Sequence, residues 1–120
     1  MKHKKILICD DDQGILEMLE FMMEDFGYRV MTETNSLNVL KDLEELKPDL
    51  LLLDIWMPVL SGDQILKNIK TNPMYADLPV IMYSASSEGS AIATEAGADD
   101  FIAKPFNLNE LLHKIEQLLN

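Results

Sequence analysis

Leu50-Leu51-Leu52-Leu53-Asp54 is the stretch that decides the architecture. Four consecutive aliphatic residues make a strand-sized run with no polar position in it. A strand with one wet face alternates apolar and polar residues. A strand apolar throughout is covered on both faces, as in a parallel sheet between helices. The run then stops at one carboxylate.

Working outward, the same alternation of strand and helix repeats. On the N-terminal side, Leu37, Leu40, Leu43 and Leu46 predict a helix that Pro48 ends, and Tyr28 to Thr32 predicts a strand. Gln13 to Phe26 predicts a helix with Ile15, Leu19, Met22, Met23 and Phe26 facing the core, and Gly27 is its stop. Lys5 to Cys9 is a short buried strand. On the C-terminal side, Ile65, Leu66 and Ile69 mark a helix and Pro79 to Tyr83 a strand. Glu88 to Ala96 is a weak, alanine-rich helix before Gly97. Asp100 to Ala103 is a fifth strand. Leu108, Leu111, Leu112, Ile115, Leu118 and Leu119 make the clearest amphipathic helix. Five strands alternating with five helices predict a single α/β domain over residues 1–120, with a parallel sheet and right-handed crossovers.

The chain has 120 residues and a formal net charge of −11, with 48% hydrophobic residues. That composition suits one globular domain and excludes a disordered acidic tail. The charge argues against direct nucleic-acid binding, because no basic patch offsets it. One cysteine, Cys9, excludes an internal disulfide framework and points to a reduced, cytoplasmic setting. The apolar stretch after the N-terminal lysines is too short for a signal peptide, and no run approaches the roughly 20 residues of a membrane span.

In open parallel sheets, ligands bind beyond the carboxyl ends of the strands. The first strand delivers Asp10, Asp11 and Asp12 there, the third Asp54, the fourth Ser84 and the fifth Lys104. Gathered carboxylates repel one another unless a cation neutralises them. Oxygen-only donors suit a hard cation such as Mg²⁺. A carboxylate can also attack phosphorus to form an acyl phosphate, with metal and lysine stabilising the transferring oxygens. Asp54, alone at the end of an apolar strand, is placed for that role. Any single aspartate at a loop reads more simply as a turn or cap residue. Four matched strand ends do not.

At this point the sequence resembles a response-regulator receiver domain of two-component signalling, from end to end. The likeness rests on Asp10-Asp11, on Asp54-Ile-Trp-Met-Pro-Val-Leu-Ser-Gly62, on Ser84-Ala85 and on Lys104-Pro105-Phe106. In length and spacing the chain also resembles the single-domain regulators of sporulation phosphorelays. The resemblance implies a flavodoxin-like, doubly wound five-stranded sheet of order 2-1-3-4-5 with helices on both faces. It implies that Asp54 accepts a phosphoryl group from phosphohistidine. Asp11 and Asp54 would bind Mg²⁺, with Asp10 holding a water or touching the ion and Trp56 giving its backbone carbonyl. Lys104 and Ser84 would each meet a phosphoryl oxygen, with the Ala85 N–H beside them. Phe101 takes the aromatic switch position, where a ring reorients as Ser84 moves. The implied partners are a histidine kinase or histidine phosphotransfer protein, and a downstream protein target or fused output domain.

Several residues carry two readings. Asp12 is read as a helix N-cap in preference to a metal contact. Phe101 is a switch or plain core packing. Phe101 has no hydroxyl, so its switching would use no phenolic hydrogen bond. The Trp56 indole is expected near the phosphoryl site, where it would slow hydrolysis. Gly14, Met18 and Phe21 fall on the outer face of the first helix, as a docking surface for the phosphodonor or as incidental exposure. His113 falls off the apolar face of its helix, and Cys9 is read as inert core. The fourth helix offers little apolar burial, which suits a movable element.

Other classes fit less well. A flavodoxin-like electron carrier needs a phosphate cradle where Asp10, Asp11 and Asp12 would repel it. A haloacid-dehalogenase-type phosphatase needs an acid where Trp56 stands. A degenerate receiver, serving only as a scaffold, would lack the acids or the lysine. No DNA-binding module follows the fifth helix, so a stand-alone regulator and an excised domain of a longer transcription regulator both remain readings.

Overall fold

A computed structural model describes residues 3–86, 88–105 and 107–119. Phe106, quoted in the Lys104-Pro105-Phe106 signature, and Ser87 lie outside them. The elements run β1 (Lys5–Cys9), α1 (Gln13–Asp25), β2 (Arg29–Glu33), α2 (Val39–Leu46), β3 (Leu50–Asp54), α3 (Gly62–Lys70), β4 (Val80–Ser84), α4 (Gly89–Ala96), β5 (Asp100–Ala103) and α5 (Leu108–Leu119). Short 3₁₀ turns at Ser36–Asn38 and Pro73–Tyr75 precede α2 and β4. All strand pairings are parallel, in the order β2-β1-β3-β4-β5. The expected fold class and strand order are therefore observed.

The all-apolar reading of Leu50 to Leu53 has a direct counterpart in packing. Leu51 and Leu53 join Leu7, Leu43, Ile65, Leu66, Ile69 and Val80 in the core under α2, α3 and α4. Leu50 and Leu52 point the other way, into the core that Leu16, Leu19, Met23, Leu111 and Ile115 complete from α1 and α5. Successive side chains of a strand alternate between faces, so both faces of β3 must be aliphatic.

Three expectations are corrected. Continuing the α1 wheel puts Phe26 in the core, but it is 56% exposed. The helix ends at Asp25, and Gly27 at φ 96° turns the chain away. The Gly27 N–H bonds to the Glu24 carbonyl and the Tyr28 N–H to the Met23 carbonyl, which closes a Schellman motif. Leu16 takes the core position instead. In the next helix, Leu37 and Leu40 are exposed, while Val39 and Leu43 are buried. Leu37 belongs to the 3₁₀ turn, so the true inward stripe starts at Val39 with a spacing of four. Finally, β2 and β4 each lie one residue further along than predicted, which makes Ser84 the last residue of β4.

Candidate functional site

The parallel ladders continue just past the strands and fix the residues that follow them. The Asp10 N–H bonds to the Glu33 carbonyl, the Ile55 N–H to the Tyr83 carbonyl and the Lys104 N–H to the Ser84 carbonyl. The backbone just past the strands is thus held by the same kind of hydrogen bonds as the sheet, and the side chains converge on one edge.

Asp54 and Asp10 are 4% and 1% exposed, whereas Asp11 is open to solvent. Carboxylate oxygens of Asp10, Asp11 and Asp54 lie within 4.8 Å of one another. The Lys104 ammonium is 3.3 Å from Asp10 Oδ2 and 3.7 Å from Asp54 Oδ1. Three anions and one cation in so small a space leave a charge deficit. Burial first, and then the Asp10 charge, push the Asp54 carboxyl up to about 7 against the pull of Lys104 and the Trp56 backbone N–H. The donor set is all hard oxygen, two of the three groups are buried, and the third opens to solvent. The residues present fit a divalent cation that keeps some of its water.

Asp10 is held from three sides. Its Oδ1 accepts the Asp12 N–H at 2.9 Å. Its Oδ2 accepts the Tyr83 hydroxyl at 2.7 Å and the Lys104 ammonium. The Lys104 Nζ also lies 4.7 Å from the centre of the Tyr83 ring. Sequence reasoning passed over Tyr83. A tyrosine inside an otherwise apolar strand, one residue before Ser84, was the available signal.

Asp12 caps α1, its Oδ1 accepting the N–H groups of Gly14 and Ile15 at 2.9 and 3.3 Å. The Asp54–Gly62 loop closes on itself, with the Gly62 N–H on the Ile55 carbonyl at 2.7 Å. A Cβ on Gly62 would come within 3.0 Å of the Asp54 carbonyl carbon, so only glycine fits there. Trp56 is half-exposed on this loop. Ser84 is buried and its Oγ accepts the Ser86 N–H at 3.0 Å. Gly89 packs so tightly on the Phe101 ring and Ser84 Cβ that an added Cβ would lie 2.8 and 2.9 Å from them. The predicted switch pair is thus in one packed group with the start of α4.

On the outer face of α1, Gly14, Met18 and Phe21 are exposed as expected. Ile15, Met18, Ala85, Lys104 and Pro105 line an apolar cleft of about 460 Å³, which joins that face to Lys104. His113 is exposed, and Cys9 is buried with its thiol pushed well up by burial and nearby acids. No helix among the described residues is long and apolar enough to cross a membrane.

A parallel sheet that ends in this set of groups defines a class, and the chain belongs to it: the response regulator receiver domain family, whose model matches residues 6–116. Among curated relatives, the chain is 34% identical over 119 residues to the alkaline phosphatase synthesis transcriptional regulatory protein PhoP of Bacillus subtilis, covering 98% of this chain and 49% of that protein. It is 36% identical over 118 residues to the phosphate regulon transcriptional regulatory protein PhoB of Escherichia coli, covering 97% and 52%. The chain therefore spans about half the length of these relatives. Among solved structures, a CheY-like receiver domain protein from Methanospirillum hungatei aligns with a TM-score of 0.89 and 33% identity, over 98% of this chain and 94% of that one. The chemotaxis protein CheY4 of Vibrio cholerae aligns with a TM-score of 0.89 and 28% identity, over 98% and 100%.

Proposed function

We propose that this receiver is an active phosphoacceptor, taking a phosphoryl group from a phosphohistidine onto Asp54 in a two-component or phosphorelay pathway. One observation carries the reading: a nearly buried carboxylate at the end of the central strand, with two more carboxylates within 4.8 Å and a lysine ammonium at 3.7 Å. In the transfer, an Asp54 carboxylate oxygen forms a bond to phosphorus as the bond from phosphorus to the donor imidazole breaks. The electron pair of that bond stays on the ring nitrogen. Lys104 meets a phosphoryl oxygen, and the Ser84 hydroxyl leaves its Ser86 partner to meet another, beside the Ala85 N–H. Asp11, Asp54 and the Trp56 carbonyl would hold Mg²⁺, with Asp10 contributing directly or through water. Bound there, the ion would neutralise charge on the reacting oxygens.

Ser84 and Phe101 form the switch, and phosphorylation biases a two-state equilibrium of the region around α4. The poor apolar content of α4, whose buried residues are Gly89, Ala93 and Ala96, supports that assignment. The cleft beside Met18 supports docking of a histidine kinase or histidine phosphotransfer protein on the face that carries Gly14, Met18 and Phe21. The proposed setting is cytoplasmic. The output is a protein target or a fused output domain.

Incubation with acetyl phosphate and Mg²⁺, followed by intact mass measurement, tests the core of this. One phosphoryl adduct is expected on the protein, none on Asp54→Ala and none without a divalent ion. An adduct that survives loss of Asp54 would overturn the assignment.

A further inference from the structure

We propose that Ser36 is a positioning residue for the site: its buried hydroxyl clips a strained turn in the Asp54–Gly62 loop and so holds the backbone that carries Trp56. The inference deepens the metal and phosphoryl reading above and rests on it.

The loop contains a conformation that should not persist unaided. Val59 has φ 71°, in the region that β-branched residues rarely adopt. The Leu60 N–H reaches back to the Pro58 carbonyl at 2.8 Å, two residues away. That is a γ-turn with positive central φ, a rare and strained form. Val59 is 81% exposed, so no packing of its own side chain stabilises it. Strain of this kind survives only where the surroundings over-determine it.

The surroundings act at the two flanks. Met57 is buried in the core, Leu60 packs against it, and Gly62 is pressed on the Asp54 carbonyl. Between them stands Ser36, from the 3₁₀ turn that follows β2. It is 4% exposed. Its hydroxyl donates to the Pro58 carbonyl at 2.8 Å and accepts from the Leu60 N–H at 3.3 Å. Ser36 therefore bridges both ends of the γ-turn with one oxygen. Its own backbone is fixed by the preceding Asn35, whose side chain caps the Leu37 N–H at 2.9 Å. Trp56 lies between the ladder-bound Ile55 and this clip, so its carbonyl direction is set by the two together.

The test uses Ser36→Ala, Val59→Asn and the double variant. Asparagine tolerates positive φ, so Val59→Asn lowers the strain without touching the clip. The readouts are hydrogen exchange of the Leu60 amide, Mg²⁺ titration followed by Trp56 fluorescence, and melting temperature. In Ser36→Ala, the Leu60 amide should exchange about tenfold faster and Mg²⁺ should bind about tenfold more weakly, the scale of one lost hydrogen bond. Val59→Asn alone should bind Mg²⁺ normally, and the double variant should recover most of the lost affinity. Unchanged exchange and affinity in Ser36→Ala overturn the proposal. So does weakened binding that tracks melting temperature and is not restored by Val59→Asn, because that is general packing loss. If the unaltered protein shows no Mg²⁺ response at all, the metal reading fails with the positioning role, and Leu60 exchange still reports whether the clip exists.

Discussion

Asp10 is a carboxylate shaped by groups that take no part in bond making. Tyr83 donates to it from a fully buried position, and the same ring lies beside Lys104. Tyr83→Phe keeps the ring and its volume and removes one hydrogen bond to a buried charge. It should cost about 1.5–3 kcal/mol in urea unfolding. Gly62 is a second such residue. With a Cβ there the Asp54 backbone must shift, and Gly62→Ala should destabilise by about 1–3 kcal/mol, the usual cost of overpacking, and lower the acetyl phosphate reaction rate. These two residues differ in how far sequence could reveal them. Gly62 stood in the quoted loop, where a glycine before a helix invites a steric reason. Tyr83 gave only its place in a strand, and its partner is 73 residues away. Contacts between strand ends depend on sheet register, which hydrophobic pattern constrains only to one face or the other.

Elements were legible where burial is one-sided and uninterrupted. The wholly buried β3 and the stripe of α5 fall where apolar spacing put them. The misreadings cluster at helix ends, because caps and not periodicity decide them. Phe26 follows the α1 rhythm but stands outside the helix, and Leu37 precedes α2 in a tighter turn. A strict spacing of three drifts around an α-helix, so four leucines at that interval could not share a face. The end of α2 also carries a removable cost. Lys47 closes it with φ 49° and its N–H on the Leu43 carbonyl at 3.1 Å. Glycine adopts that geometry without a Cβ penalty, so Lys47→Gly should stabilise the protein by about 0.5–1 kcal/mol in chemical denaturation. The opposite sign is expected of Asp12→Ala, which should lose about 1 kcal/mol with its cap on α1.

For the molecule as a whole, the net charge of −11 is unevenly expensive. Most acids are solvated, but two carboxyls bind protons more tightly in the folded chain. Asp54 is raised to about 7, and Asp42 is raised to about 7 by burial and the neighbouring Glu33. Glu33 is lowered instead: burial raises it, but the Asn35 N–H on its Oε2 and the neighbouring Asp42 and Asn38 side chains outweigh that. A raised carboxyl contributes stability that is present at low pH and lost as pH rises through its folded value. Glu33 acts in the opposite sense only near its ordinary range around 4. Without divalent ions, the protein should therefore melt at a higher temperature near pH 5.5 than near pH 8. Saturating Mg²⁺ should flatten that dependence by removing the Asp54 part and leaving the Asp42 part. A flat profile in chelator would contradict the assignment. The contact between Lys104 and Asp10 spans 94 residues of chain. Its length also bears on folding kinetics. The ion's carboxylate ligands stand at the ends of β1 and β3, which pair directly, whereas the lysine that offsets their charge arrives only with β5. Until then only the ion can neutralise the three acids, so in a denaturant chevron Mg²⁺ should raise the refolding limb as well as lower the unfolding limb.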